Sequence, residues 1–333
     1  MKTTKAYKYR IYQNAKQKEQ FAKTFGCTRI YWNTLVAAFQ SYDVETNQKP
    51  KYKSSTEIRD EFDWMKEVPA VALQQKLRDF NATKKQFFNK TRKIKLGLMK
   101  FKKKHDQQSF RISNQQFSLR RNKLYVVKSG FIRIKIDREI PARSRHMSVT
   151  ISKNKLDEYY ASICFVYEQE IKEKKTSQTI GIDLGISSLL TLSDGLQFAN
   201  PRLFRENQSE LKCLQKHLSR KKKGSSRYIK QKLKVTKLHK KIARQRDWLL
   251  HNISRYVVEN YNEIAMEDLS IISMMKGKKN KGMSKAISDA SMSKLKTYIS
   301  YKQLEYGMNV KLLGRYEAST KECYECSNQQ KIA

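Results

Sequence analysis

Acidic residues are scarce in this chain of 333 residues: 31 Asp and Glu stand against 70 Lys and Arg, a formal charge of +39. Such an imbalance exceeds what solubility requires and excludes a cationic or neutral macromolecule as the main partner, pointing to a polyanion met over a long surface. Long apolar runs are also missing. No stretch approaches the roughly 18 residues of a membrane-spanning helix, and the start, Met-Lys-Thr-Thr-Lys-Ala-Tyr-Lys-Tyr-Arg, lacks the apolar core of a signal peptide. The basic residues spread along the whole chain rather than forming one membrane-facing cluster. The expectation is therefore an intracellular protein that binds nucleic acid and has no membrane partner.

Cysteines are few and odd in number: positions 27, 164, 213, 323 and 326. Three stand alone in apolar or helical surroundings, which excludes a disulfide framework and fits reduced thiols. Only Cys323 and Cys326 have metal-ligand spacing. The pair supplies two of the four ligands a structural zinc needs, and seven residues follow it. Half of a zinc site, left unfilled, is the expectation. There is no internal repeat.

Apolar content of 39% with 11% aromatic residues is enough for packed cores, and the length suggests two or three domains. Residues 5–12 are rich in β-formers and closed by Gln13-Asn14, after which the period turns helical. Leu73, Leu77, Phe80, Phe87 and Ile94 recur at three, four and seven residues, one apolar stripe of a core-facing helix. From about residue 108 the texture is β again, with strands over 123–128, 131–136, 148–152 and 159–167. Alternation in the second puts Arg133 and Lys135 opposite Ile132, Ile134 and Ile136. These four strands with residues 5–12 make a small barrel, with the helical block inserted between the first strand and the rest. Residues 168–178, polar and charged, read as the linker.

Beyond the linker, residues 179–186 and 189–193 are two apolar strands followed by the Asp194-Gly195 turn. A long basic helical region follows, then a strand over 263–269 ending in acids, a helix over 298–306 and a strand over 309–313. Asp183 stands inside an otherwise apolar strand, where an unpartnered carboxylate is costly, and Gly181 and Gly185 leave room for a ligand or backbone to approach. Glu267 ends its own apolar strand. Two carboxylates at the ends of neighbouring strands are what a metal-dependent phosphodiester site uses. Spacing alone is a weak signal, since acids often end strands.

The segment Arg220–Arg246 carries thirteen Lys or Arg and no acid. A solvated helix normally mixes signs, so the run reads as a phosphate-contacting surface of Arg220, Lys221, Lys222, Lys223, Arg227, Lys230, Lys234, Lys237, Lys241 and Arg244. Ile229, Leu233, Leu238 and Ile242 form a partial apolar stripe by which one face packs on the domain. Lys100–Lys104 and Lys276–Lys281 read the same way. Tyr7, Tyr9, Tyr12, Tyr31 and Trp32, beside basic residues, suit either base stacking or core packing. Asp289 follows Ser288 just before a helical pattern and reads as a cap of that helix.

Gly-Ile-Asp-Leu-Gly-Ile (181–186), Ile-Ala-Met-Glu-Asp-Leu-Ser (264–270), Ile-Ser-Asp-Ala-Ser (287–291) and Ser-Thr-Lys-Glu-Cys-Tyr-Glu-Cys (319–326), in that order, resemble the TnpB (OrfB) family of RNA-guided nucleases of insertion sequences. Tyr-Lys-Tyr-Arg-Ile-Tyr-Gln-Asn (7–14) and Thr-Phe-Gly-Cys-Thr-Arg (24–29) are similar to that family's start, so the resemblance runs along almost the whole chain. It implies an α+β multidomain fold: a small wedge-type β-barrel with an inserted helical recognition lobe, followed by an incomplete RNase H-like (RuvC) α/β domain. The expected boundaries are 1–14 for the first barrel strand, 15–107 for the helical insertion, 108–175 for the rest of the barrel and 176–333 for the RuvC-like domain. Guide RNA and double-stranded DNA target are the implied partners. Asp183 matches the family's first catalytic Asp and Glu267 its catalytic Glu.

The family pattern continues after Cys-x-x-Cys with a second Cys pair and a third catalytic carboxylate, and neither is in this sequence. Asp183 and Glu267 alone are expected to hold Mg²⁺ weakly. The expectation is an RNA-guided DNA-binding protein, nuclease-deficient, that represses transcription by occupying its target. Two alternatives stand beside it: an RNA-guided endonuclease with residual Mg²⁺-dependent cutting, and a protein that only holds guide RNA.

Overall fold

Alternation at the start of the chain becomes strand β1 (Lys2–Tyr12), with Tyr9 and Ile11 fully buried and Lys8, Arg10 and Tyr12 on the opposite face. The computed structural model describes residues 2–41, 50–91, 96–174, 176–276 and 281–314, and the chain divides into two units at Gln169/Glu170. Helix α1 (Ala15–Gln40) begins where Asn14 accepts the Gln17 amide at 2.9 Å while the Gln17 side chain accepts the Asn14 amide at 3.1 Å. This reciprocal cap satisfies amides that a helix start otherwise leaves orphaned.

After α1 come α2 (Glu57–Glu61) and α3 (Ala70–Phe87), then β2 (Gln108–Ser113), β3 (Phe117–Arg120), β4 (Lys123–Val126), β5 (Gly130–Lys135), β6 (Arg145–Lys153) and β7 (Tyr159–Glu168). The seven strands form one antiparallel sheet in the order β2-β6-β7-β1-β5-β4-β3. Strand β1, first in sequence, is central, held to β7 from Lys2↔Glu168 to Ile11↔Tyr159. The sheet curls into a nearly closed barrel around a core that joins Phe110 and Ile112 of β2 to Phe117 and Leu124 near its other edge. Strand β3 escapes sequence reading because four residues flanked by polar Asn114-Gln-Gln give too short an alternation to detect.

Helix α1 serves two cores. Its first half sends Phe21 and Phe25 into the barrel against Phe110 and Tyr159, with ring centroids 5.3–6.4 Å apart. Its second half packs Tyr31, Trp32 and Leu35 with Leu73 and Phe80 of α3. Leu73 and Phe80 of the expected stripe are fully buried and Leu77 packs beside them, while Ile94 lies outside the described residues.

In the second unit, β8 (Thr179–Asp183), β9 (Ser188–Leu192) and β10 (Gln197–Ala199) lead to α4 (Leu203–Glu206), α5 (Gln208–Ser219) and the long α6 (Ser226–Asn260). Then follow β11 (Glu263–Glu267), α7 (Ile271–Lys276), α8 (Lys281–Ala290), α9 (Met292–Gln303) and β12 (Lys311–Leu313). The sheet order is β10-β9-β8-β11-β12, with β8, β11 and β12 parallel and β9 antiparallel to both neighbours, an RNase H-like arrangement. Leu250, Ile253 and Val257 of α6 and Leu295 and Ile299 of α9 bury Ile180, Ile182, Ile264 and Met266 on one face of this sheet.

The C-terminal part of α6 is fastened by two lysines. Lys174 donates to the Val258 carbonyl at 2.8 Å and to Gln303 Oε1 at 3.0 Å, and Lys302 donates to the His251 carbonyl and Ser254 Oγ, each at 2.7 Å. Cations at helix carbonyls are favourable, yet burial outweighs this for Lys302 and lowers its pKa to about 8. Unfolded, the same lysine titrates near its ordinary 10.5. Between these values the unfolded chain holds more protons, so this group makes folding more favourable as pH rises from about 8 towards 10.5. Urea unfolding across that range is expected to show the native chain gaining stability relative to Lys302→Met. Parallel curves would contradict the assignment.

Candidate nucleic-acid interface and carboxylate pair

Strand pairing places the two predicted carboxylates side by side. Parallel strands β8 and β11 pair Gly181 with Ala265 and Ile182 with Met266, so the next step of the same register sets Asp183 level with Glu267. Ile182 and Met266 point into the core, and alternation turns both acids to the opposite face. Both close their strands at the carboxyl ends, where open α/β sheets place their ligands.

Asp183 is exposed at the strand's last residue, which corrects the expectation of a costly buried carboxylate inside it. Glu267 is half-buried. The glycines beside Asp183 also differ from expectation. A side chain at Gly185 would meet the Ser188 carbonyl at 2.8 Å, so this glycine lets the β8–β9 turn close on its own backbone. Gly181 packs against Ser193, whose hydroxyl accepts its amide at 3.1 Å.

Three further acids of this unit are engaged, of which Asp194 lies at the opposite, amino ends of β8 and β11. Asp268 binds Lys296 at 2.7 Å, and Asp194 accepts the Tyr261 hydroxyl, which pushes that phenol up to about 12. Asp289 lies near the end of α8 and does not cap α9, whose first turn has no side-chain cap. It caps a different helix: its oxygens accept the Phe204 amide at 3.1 Å and the Arg205 amide at 3.3 Å of α4, and Arg246 of α6 meets it at 2.6 Å. The sequence carries no sign of this clasp, because its partners are 43 and 85 residues away.

At the turn after Asp183 opens a cavity of about 850 Å³ whose lining includes Gly185, Ser187, Arg202, Arg205, Lys285 and Asp289. These basic groups escaped sequence reading, since they lie singly outside the long charge run. Among the described residues no cluster of three metal-ligating side chains occurs. Cys323 and Cys326 lie outside the described residues.

The basic run is split between two elements. Arg220, Lys221, Lys222 and Lys223 form the turn between α5 and α6, and Ser225 starts α6 by accepting the Tyr228 amide at 3.1 Å. Arg227, Lys230, Lys234, Lys237, Lys241 and Arg244 follow on α6, all exposed. The supporting stripe is shorter than expected. Leu238 and Ile242 are buried against Leu211 of α5, but Ile229 is 52% and Leu233 38% exposed. Ile229 and Leu233 face away from α5, which reaches this part of α6 through buried Gln231, bonded to the Leu214 carbonyl at 3.1 Å.

Of the aromatics proposed for stacking, Tyr9, Tyr31 and Trp32 are buried in cores and Tyr7 packs against the barrel core. Tyr12 alone among them is exposed, with the Arg10 and Arg133 guanidinium groups within 6 Å of its ring centre. Lys102 is half-buried over the Trp32 ring, which takes it out of the basic patch at 100–104. Most of Lys276–Lys281 lies outside the described residues.

A family model described as "Probable transposase" (OrfB_IS605) matches residues 162–278, which include both carboxylates and the basic run, and one described as "Helix-turn-helix domain" matches residues 1–43. Residues 2–41 here form one strand and one helix rather than a helix pair. A Streptomyces pristinaespiralis protein named "Putative RNA-guided DNA endonuclease" is 30% identical over 97% of this chain and 80% of its own length. InsQ of Escherichia coli K12, given the same description, is 28% identical over 93% of this chain and 80% of its own. In fold, a chain from the cryo-EM structure of a Cas12f1–sgRNA–target DNA complex superposes with a TM-score of 0.52 over 95% of this chain and 75% of that chain, at 13% identity. The chain belongs to the TnpB (OrfB) family of RNA-guided DNA endonucleases of insertion sequences.

Proposed function

We propose that this protein binds guide RNA, is directed by it to double-stranded DNA, and occupies that target with little or no cutting. The observation that carries the reading is the register that sets Asp183 level with Glu267 within a unit whose run Arg220–Arg246, on the α5–α6 turn and the first part of α6, carries phosphate-seeking cations and no acid. In such a system base pairing reads the sequence, while the protein holds the nucleic acid by shape and charge. The names of the relatives support the same partners.

A pair of carboxylates fits a hard divalent cation such as Mg²⁺, and Asp183 and Glu267 would hold it. When bound, the ion would supply stabilisation of charge at a phosphodiester. Weak cutting is supported by how the acid next to Glu267 and the acid lining the adjoining cavity are used: Asp268 is held by Lys296, and Asp289 by Arg246 and two amides. Among the described residues two ligands then carry what a nuclease spreads over more. Target occupancy would block transcription, which is the repressor role inferred here.

The retained pair favours one second reading, residual Mg²⁺-dependent cleavage. A promoter-reporter assay separates the two: with a matched guide, the native chain and Asp183→Ala are expected to silence the reporter equally. Silencing lost in Asp183→Ala, with plasmid loss in the native chain, would replace occupancy with cutting.

A further inference from the structure

On α6 the cations Arg227, Lys230, Lys234, Lys237, Lys241 and Arg244 recur in alternating steps of three and four. Such steps keep side chains on one slowly drifting face, so the exposed row extends along roughly 25 Å of helix. The next position of the row, four residues after Arg244, is Trp248. Its indole is 69% exposed.

A lone exposed tryptophan needs no special account. This one lines a mostly apolar cavity of about 540 Å³ together with Pro201, Leu203, Leu249, Arg244 and Gln245. A mostly apolar slot with an indole in its wall, beside an exposed arginine, has the chemistry that accepts a nucleobase: stacking on the ring and a cation close by for its phosphate. The adjoining acid, Asp247, is bound to Lys294, so the slot keeps the positive character of the row.

We propose that Trp248 is a stacking stop at the end of the α6 cation row: the phosphates of one strand run along Arg227–Arg244, and the first unpaired base beyond the duplex lies on the indole. This rests on the reading that α6 meets nucleic acid, and not on guide-directed targeting or on cutting. The partner is the junction between duplex and single strand, as RNA or as DNA.

The test uses the full chain and fluorescently labelled oligonucleotides, namely a blunt duplex and the same duplex with a single-stranded extension, each made as RNA and as DNA. The native protein is expected to prefer the extended form, and Trp248→Ala to lose about tenfold in affinity for it while binding the blunt duplex unchanged, with Trp248→Phe retaining most of the preference. A loss confined to the RNA or the DNA extension names the strand involved. Equal weakening on blunt and extended duplexes, or a preference unchanged in Trp248→Ala, would overturn the stacking stop while leaving the proposed function standing. Absence of binding to either duplex would overturn both. A normal junction preference without guide-directed targeting would remove the proposed function alone.

Discussion

Raising salt from about 50 to about 200 mM is expected to weaken binding of this protein to duplex nucleic acid on the order of a thousandfold. The estimate follows from the α6 row. Six exposed cations, each releasing counterions from one phosphate, give a slope near −5 in log affinity against log salt. All six are exposed while α5 covers the face of Gln231, Leu238 and Ile242, which leaves the cations reachable along one side. Replacing Lys234, Lys237 and Lys241 by Gln should reduce the slope by about three, without loss of fold, because none of the three has a buried side chain. A slope that stays near −5 in the triple variant would move the main phosphate contacts elsewhere.

Removing the carboxylate of Asp289 is expected to cost roughly 3 kcal/mol of stability, by leaving a partly buried cation without its partner. The Asp289 side chain is 7% exposed and that of Arg246 21%, and two α4 amides lose their acceptor at the same time. The Arg246 Nε already has no hydrogen-bond partner in the structure, so it offers no route to compensation. The diagnostic measurement is calorimetric melting of Asp289→Ala, Arg246→Met and the double variant. If an uncompensated charge is the source of the loss, Asp289→Ala/Arg246→Met melts above Asp289→Ala alone. Simple addition of the two losses would instead mean that lost packing, and not the stranded charge, sets the cost.

Legibility in the sequence followed the range of the interaction. Alternation made β1, β5, β7 and β8 readable, because a strand with one buried face writes a period of two into a few adjacent residues. Asp183 and Glu267 were readable as acids closing apolar strands, but their adjacency required the β8–β11 pairing, which joins segments more than 80 residues apart. Composition could not separate a stacking aromatic from a core one: Tyr9 and Tyr12 are three residues apart on β1, and the pleat buries the first and exposes the second. Periodicity likewise overestimated the apolar stripe of α6. A helix carries the same spacing whether or not another element reaches it, and α5 covers Leu238 and Ile242 but not Ile229 or Leu233. The Asp289 clasp had no local signature at all, since α4, α6 and α8 meet only in the folded unit.

Family membership fixes the ancestry of this site more firmly than its present activity. The carboxylates close adjacent parallel strands at their carboxyl ends, and the cations lie on α6 between them in sequence. Occupancy and cutting therefore differ in what Asp183 contributes, and a single preparation reads both. The complex should be purified with its bound RNA, incubated with guide-matched and unmatched supercoiled plasmid in Mg²⁺, and scored separately for retention and for strand breaks, with Asp183→Ala alongside. Guide-dependent retention of matched plasmid, intact and equal in the native chain and in Asp183→Ala, is the predicted result; breaks in the matched plasmid that disappear in Asp183→Ala would contradict it.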